Sequence, residues 1–327
     1  MKSNRHLVFL TTIGAVAALS LSACAAPSGD GSVGEPDEFN LTFIQGLAGE
    51  EFYITMQCGV EAEANKLGVN VNTQGAAKWD STLQKPLVDS VVASKPDAIL
   101  IAPNDVTAMR APLQAAADAG IKVILVDTTV EDPSFATAEI SSDNTGGGLA
   151  GFDAIKELNP DGGKVLIIGT DPGVSTTDAR IAGFEEAVKA DDSFEYLGVQ
   201  WSRNDPAEAA KLVNAALAKD PDIVGIFAIN INAAEGSATG VRQAGKEGSV
   251  NVVSFDAGAA QVQALRDGII QALVAQQPAL IGSEGVAAAV SALKGESVEK
   301  KTQTGFQVLT LDNIDTTGQD YIYKSSC

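Results

Sequence analysis

Residues 97–128 read DAILIAPNDVTAMRAPLQAAADAGIKVILVDT, and this stretch decides the fold. DAILIAP (97–103) and IKVILVD (121–127) are nearly all apolar in their centres, so neither leaves a polar face when extended. A strand of that kind is buried on both sides, as in a parallel sheet covered by two helical layers. Between them, residues 106–119 carry apolar positions at helical spacing. Asp105 stands ahead where an N-cap belongs, and Gly120 behind where a left-handed C-cap belongs. Strand, helix and strand make one βαβ unit, and such crossovers are almost always right-handed.

The same rhythm extends in both directions. Candidate strands lie at 41–45, 69–73, 98–102, 122–126, 164–168, 196–200, 223–227, 250–254 and 270–274, and helices lie between them, for example at 52–67, 81–94, 106–119, 177–190, 207–219 and 233–244. Asp80 and Asp205 mark further helix starts, and Gly68 and Gly245 further helix ends. The expected class is α/β, with mostly parallel, doubly wound sheets. Residues 39–327 are too many for one comfortable core, yet no linker or compositional break divides them. Two similar lobes joined by short crossovers fit this best. The run Gly146-Gly147-Gly148 follows SSDN and matches neither GxGxxG nor a Walker loop. It reads as close packing at a helix start.

The N-terminus speaks to location. Lys2 and Arg5 precede an apolar run at 7–21, shorter than the roughly 20 apolar residues that cross a bilayer. Leu21-Ser22-Ala23-Cys24 then resembles a bacterial lipobox, with residues 1–23 as signal peptide and Cys24 as the lipidation site. A plain secretory signal with an incidental cysteine is the blander alternative. Residues 24–38, rich in Gly, Pro, Ser and acid, read as a flexible tether. An extracytoplasmic protein anchored to the cell membrane is therefore expected.

Residues 1–23 contain two basic residues, no acids and the only histidine, His6. Without them a chain of 22 Lys+Arg and 42 Asp+Glu goes from a formal charge of −20 to −22. That balance argues against nucleic acid, whose binding rests on neutralising phosphates. Loss of His6 excludes Ser-His-Asp and Cys-His catalysis and histidine metal sites. Cys58 and Cys327 are too few for a thiolate zinc site. In an oxidising compartment they are expected to pair, the alternative being two free thiols. Neither a metal nor a cofactor is expected.

In open α/β sheets ligands bind beyond the carboxyl ends of the strands. The residues there are Glu50, Phe52 and Tyr53; Trp79; Asn104 and Asp105; Asp127; then Thr176, Asp178 and Arg180; Trp201 and Asn204; Asn230; Asp256; and Gln276. These are acceptors, forked donors and aromatic faces without a nucleophile–base pair, a chemistry suited to a hydroxylated ligand. Some have duller readings: Asp105 and Asn230 as helix caps, Trp79 as edge packing. Asp127 and Asp256 each end an apolar strand, where a carboxylate is costly unless paired. Arg180 is the obvious partner.

An ordered series of motifs adds to this reading. It comprises Phe52-Tyr53, VDT at 126–128, SDN at 142–144, ARIAGF at 179–184, FAIN at 227–230, SFDAG at 254–258 and AQQP at 275–278. In this series the chain resembles the periplasmic ribose-binding group of sugar-binding proteins, the substrate-capturing subunits of ABC importers. The resemblance runs from about residue 41 to 312. It implies ligand contacts at Phe52, Tyr53, Asp127, Arg180, Asn230, Asp256 and Gln276, and three crossovers near 142, 276 and 307. The lobes would then be 39–141 plus 277–306, and 142–276 plus 307–327.

Three positions depart from the ribose pattern. Thr128 stands where an arginine is expected and Glu50 where an asparagine is expected. Asn204 replaces an aromatic, with Trp201 as a substitute nearby. These changes favour another sugar or a polyol over ribose. The expectation is a monomeric, non-enzymatic binding protein that closes on its ligand and hands it to ABC permease subunits. A sensory component for a sugar-like signal and a carboxylate-based glycoside hydrolase are the alternatives.

Overall fold

The computed structural model describes residues 39–327; the leader, the tether and Cys24 lie outside the described residues. Chain order is β1 (Asn40–Gln45), α1 (Glu51–Leu67), β2 (Asn70–Gly75), α2 (Ser81–Ser94), β3 (Ala98–Ile101), α3 (Arg110–Asp118), β4 (Lys122–Val126) and β5 (Ala138–Ser142). It continues with α4 (Asn144–Leu158), β6 (Gly163–Gly169), α5 (Ser175–Lys189), β7 (Phe194–Trp201), α6 (Pro206–Lys219), β8 (Ile223–Ala228), α7 (Ile231–Gln243), β9 (Asn251–Phe255), α8 (Ala259–Arg266) and β10 (Ala272–Gln276). The chain closes with α9 (Pro278–Leu293), β11 (Lys301–Thr304) and β12 (Phe306–Leu309).

The strands form two six-stranded sheets, β11-β5-β4-β3-β1-β2 and β12-β10-β9-β8-β6-β7. The second repeats the strand order of the first. All pairings are parallel except β10 with β12, so the α/β class and the mostly parallel sheets expected from sequence hold. Each sheet receives its sixth strand from one short stretch. There β11 joins the first sheet and β12 joins the second, with only Gly305 between them.

The apolar strands are buried as 97–127 foretold. Leu100, Ile124 and Val126 pack with Tyr53, Met56, Val60, Ile281 and Val286 of α1 and α9. Ile99, Ile101, Val123 and Leu125, pointing the other way, pack with Val88, Val91, Met109 and Leu113. The alternation is the strand period of two, with a helical layer on either side.

Most helix ends fall where chemistry placed them. Asp80 accepts from the Thr82 amide at 2.8 Å, and Asp205 from the Glu208 amide at 2.9 Å. Gly68 takes the left-handed cap at φ 70°. Asp105 differs: it accepts from the Thr107 and Ala108 amides, but the turn it closes is followed by a helix that starts only at Arg110.

The triple glycine begins α4, as read. A Cβ on Gly147 would meet the Phe255 ring, and one on Gly148 the backbone of Arg180 in α5. Asp143 caps this helix start by accepting from the Gly146 amide at 2.9 Å.

The sulfurs of Cys58 in α1 and Cys327 stand at bonding distance, with their Cα atoms 5.2 Å apart. Among the described residues no helix is long and apolar enough to cross a membrane.

Candidate ligand-binding site

Both sheets aim the carboxyl ends of their strands at one cavity, the place where open α/β sheets bind their ligands. From the first sheet's side Glu50, Phe52, Tyr53, Trp79 and Asp127 line it. From the second sheet's side come Arg180, Asn204, Asn230, Asp256 and Gln276, together with Thr170, Val174, Thr176 and Thr177.

The two aspartates occupy equivalent places. Asp127 follows β4 and Asp256 follows β9, the corresponding strands of the two sheets. Each has a left-handed backbone, φ 63° and 78°, uncommon for a residue with a side chain. Each amide bonds the neighbouring strand, Asp127 to the Ile140 carbonyl at 2.8 Å and Asp256 to the Val274 carbonyl at 2.9 Å. This paired backbone strain sits where ligand clamps commonly concentrate it.

The partners of these carboxylates are not the expected one. Arg180 makes no ion pair with either. Its Nε donates to Asn144 Oδ1 at 2.9 Å and its Nη1 to the Ile229 carbonyl at 3.0 Å, while its guanidinium lies 3.6 Å over the Phe255 ring. Asp127 Oδ2 instead accepts from the Tyr53 hydroxyl at 2.7 Å. Asp256 Oδ1 accepts from Gln276 Nε2 at 2.6 Å and from the Tyr323 hydroxyl at 3.0 Å. A phenol hydroxyl supplies the donor that a buried carboxylate oxygen needs.

Electrostatics follow from this crowding. Burial pushes the Asp127 carboxyl up to about 6, against the opposing pull of Arg180 and the Tyr53 bond. Burial, then Asp256 and Asp127, push Glu50 up to about 8. Glu50 therefore holds its proton at neutral pH and can donate. Burial also lifts the Tyr53 hydroxyl well above its ordinary range, so it remains a donor to Asp127.

Several lining groups lack partners. The indole nitrogen of Trp79, stacked beside Tyr53 at 6.3 Å, is buried with nothing to donate to. Gln276 Oε1 is likewise buried with no donor. Asn230 Oδ1 caps α7 through the Ala233 amide at 3.0 Å, and its Nδ2 donates to Asn204 Oδ1 at 2.8 Å. Both its cap reading and its cavity position are thus realised at once.

Of the residues singled out from sequence, Asn104, Asp105 and Asp178 do not line the cavity, and neither does Trp201. Trp201 ends the edge strand β7, lies over Gly169 and is 38 % exposed. Beyond it Arg203 and Asn204 both take φ 56°, and this tight reversal brings Asn204 to the cavity in its place. Thr128 donates to the Pro103 carbonyl at 2.8 Å and faces away from this cavity's lining. Tyr323 was not foreseen. The only signal for it was the apolar triplet Tyr321-Ile322-Tyr323 in a largely polar tail.

The two sides also touch directly. Glu51 Oε2 accepts from the Ala259 amide at 2.7 Å, the Val106 amide donates to the Gly173 carbonyl at 3.2 Å, and the Thr129 amide donates to Ser175 Oγ at 2.9 Å.

Two repeated α/β sheets with a polar, aromatic-lined cavity between their strand ends define a binding-protein architecture. Residues 41–297 match the periplasmic binding protein domain, and the chain belongs to that family. It is 30 % identical over 276 residues to the ribose import binding protein RbsB of Bacillus subtilis, covering 84 % of this chain and 88 % of that protein. The corresponding Escherichia coli protein is 30 % identical over 261 residues, covering 80 % and 87 %. Among solved structures, an ABC transporter solute-binding protein from Agrobacterium vitis bound with α-D-tagatopyranose is similar, with TM-score 0.86 and 40 % identity over 88 % of this chain and all of that one. Another, from Agrobacterium radiobacter in complex with D-arabinose, has TM-score 0.82 and 26 % identity over 88 % of this chain and 98 % of that one.

Proposed function

We propose that this chain is an extracytoplasmic, lipid-anchored solute-binding protein. It captures a small sugar or polyol by closure of two lobes and delivers it to the permease of an ABC importer. The observation that carries the ligand class is the unpaired pair of Gln276 Oε1 and Trp79 Nε1 in one cavity. Gln276 needs a donor and Trp79 an acceptor, and a hydroxyl serves as either. Leaving such groups unpaired costs about 1–3 kcal/mol each, which a hydroxylated ligand recovers.

Around them Asp127 and Asp256 accept from hydroxyls, the protonated Glu50 donates to a ring or hydroxyl oxygen, and Arg180 offers Nη2, since its protein bonds use Nε and Nη1. Phe52, Tyr53 and Trp79 cover C–H faces. The lobes are taken as 39–141 plus 277–306, and 142–276 plus 307–327, hinged at the crossings after β5, β10 and β11. Closure is favoured by the contacts that only the closed form offers the ligand. Cys24 anchors the chain through lipid, residues 24–38 act as tether, and a Cys58–Cys327 disulfide clips the last residue to α1. Relatives that are transport proteins, and a lining without a nucleophile–base pair, support a non-enzymatic role.

A thermal-shift panel of pentoses, hexoses, tetritols and pentitols tests the reading. D-tagatose is the first member, because the 40 %-identical structure carries tagatopyranose. A true ligand at 100 times its Kd adds about 2.7 kcal/mol. A panel in which no sugar or polyol raises the melting temperature sinks the proposal.

A further inference from the structure

The two sides of the cavity are joined once more, outside the crossings of the sheets, by the last residues of the chain. Tyr323 is 4 % exposed. Its amide donates to the Ala257 carbonyl at 3.0 Å, and its hydroxyl donates to Asp256 Oδ1 at 3.0 Å while accepting from the Gln276 amide at 3.2 Å. All three partners lie at the ends of β9 and β10. Its ring meets Phe52 edge-on at 5.7 Å. One residue later the chain has changed sides: the Lys324 amide donates to Thr55 Oγ1 in α1 at 2.7 Å, and Cys327 stands against Cys58 of the same helix.

Two consequences follow from this placement. Tyr323 and Gln276 both donate to Asp256 Oδ1, so Oδ2 is the oxygen that has no protein donor. The choice of which oxygen meets a ligand is therefore made by Gln276 and the tail together. The span from Tyr323 to Cys327 can reach no more than about 14 Å when fully extended, at ~3.6 Å per residue. A tail that merely lay on α1 could peel away as the two sides parted. A tail bonded to it limits the separation.

We propose that residues 323–327 form a strap in which Tyr323 is a positioning residue for Asp256 and the Cys58–Cys327 link limits how far the cleft opens. The role given to Tyr323 rests on Asp256 being a ligand-binding residue; the limit on opening does not. A tail serving only to shield α1 would leave both cleft opening and ligand release unchanged when altered.

The test measures small-angle X-ray scattering of the ligand-free full chain, and binding kinetics with D-tagatose. For the scattering arm, wild type is compared with C58S/C327S and with wild type reduced by dithiothreitol, which needs no mutation. Both treatments should enlarge the ligand-free radius of gyration, and Y323F should not. Scattering unchanged by either treatment overturns the limit on opening. In the kinetic arm, Y323F keeps the ring and should raise the Kd for D-tagatose about tenfold through faster dissociation, with association unchanged. A wild-type dissociation rate in Y323F overturns the positioning role. If wild type ignores D-tagatose while the cut strap still opens wider, the limit on opening stands and the ligand assignment falls; the kinetic arm then moves to whichever panel member binds.

Discussion

The Tyr53 hydroxyl donates to Asp127 Oδ2 at 2.7 Å, across 74 positions of sequence. A single bond thus ties the first turn of α1 to the end of β4 and fixes the carboxylate before any ligand arrives. Tyr323 does the same for Asp256 from the opposite end of the chain.

Tyr53→Phe should leave the ring packed beside Trp79 and free Asp127 to turn. A hydrogen bond to a charged group contributes about 1.5–3 kcal/mol, and part of that is lost from ligand binding, giving a roughly tenfold weaker Kd. Isothermal titration with the best panel ligand measures this. An unchanged Kd would mean that the bond is not part of the binding machinery.

Glu50→Gln should change how stability depends on pH. The folded-state value of Glu50 is raised from 4.5 to about 8. Between those pH values the unfolded chain releases the proton and the folded chain keeps it, so stability falls as pH rises and the loss is complete above about 8. Asp127, raised from 3.8 to about 6, acts in the same direction over a lower window in both proteins. The variant should match wild type near pH 4.5 and melt higher at pH 9. A gap in melting temperature that does not widen with pH refutes the assignment.

Arg180→Ala should lose the ligand response and also some stability of the empty protein. It removes bonds to Asn144 and the Ile229 carbonyl as well as the stack on Phe255. The expected cost is about 2–4 kcal/mol, from one to two kcal/mol per bond and a smaller cation–π contribution. Calorimetry of the ligand-free variant reads it. An undiminished melting enthalpy and temperature would contradict the buried network.

Gly148→Ala tests the glycine run separately from any ligand. Its methyl group would press on the backbone of Arg180, which cannot yield without moving α5. Overpacking of this kind costs about 1–3 kcal/mol, and the displaced Arg180 should weaken ligand binding too. A variant as stable as wild type would show that α4 and α5 have room to part.

Much of the fold was legible because buried parallel strands are continuous apolar runs and several of their helices end in a left-handed glycine. What escaped was polar or short. β11 is KTQT, an edge strand with little apolar content, and it is recognisable only through the neighbour it pairs with. β5, AEISS, alternates in burial and is only five residues long. The start of α3 moved because Asp105 caps a turn as readily as a helix.

In the site, residues at strand ends were readable because topology puts them there. Partner choice was not: nothing local distinguishes Arg180 from Tyr53 or Tyr323 as the group that meets a carboxylate 50 or more positions away. Trp201 was misplaced for the same reason. Its strand ends at the right level, but the chain reversal through Arg203 and Asn204 decides which of them faces inward.

The left-handed backbone at Asp127 and Asp256 has one more consequence, in the genetics of the pocket. Most side chains are strained in that conformation, whereas asparagine tolerates it nearly as well as aspartate. An aspartate codon becomes an asparagine codon by one base change. At both positions a mutation one base away is therefore also one that the fold accepts. A lineage can exchange acid for amide here and alter which hydroxyls its pocket prefers, with the sheets that hold the site untouched.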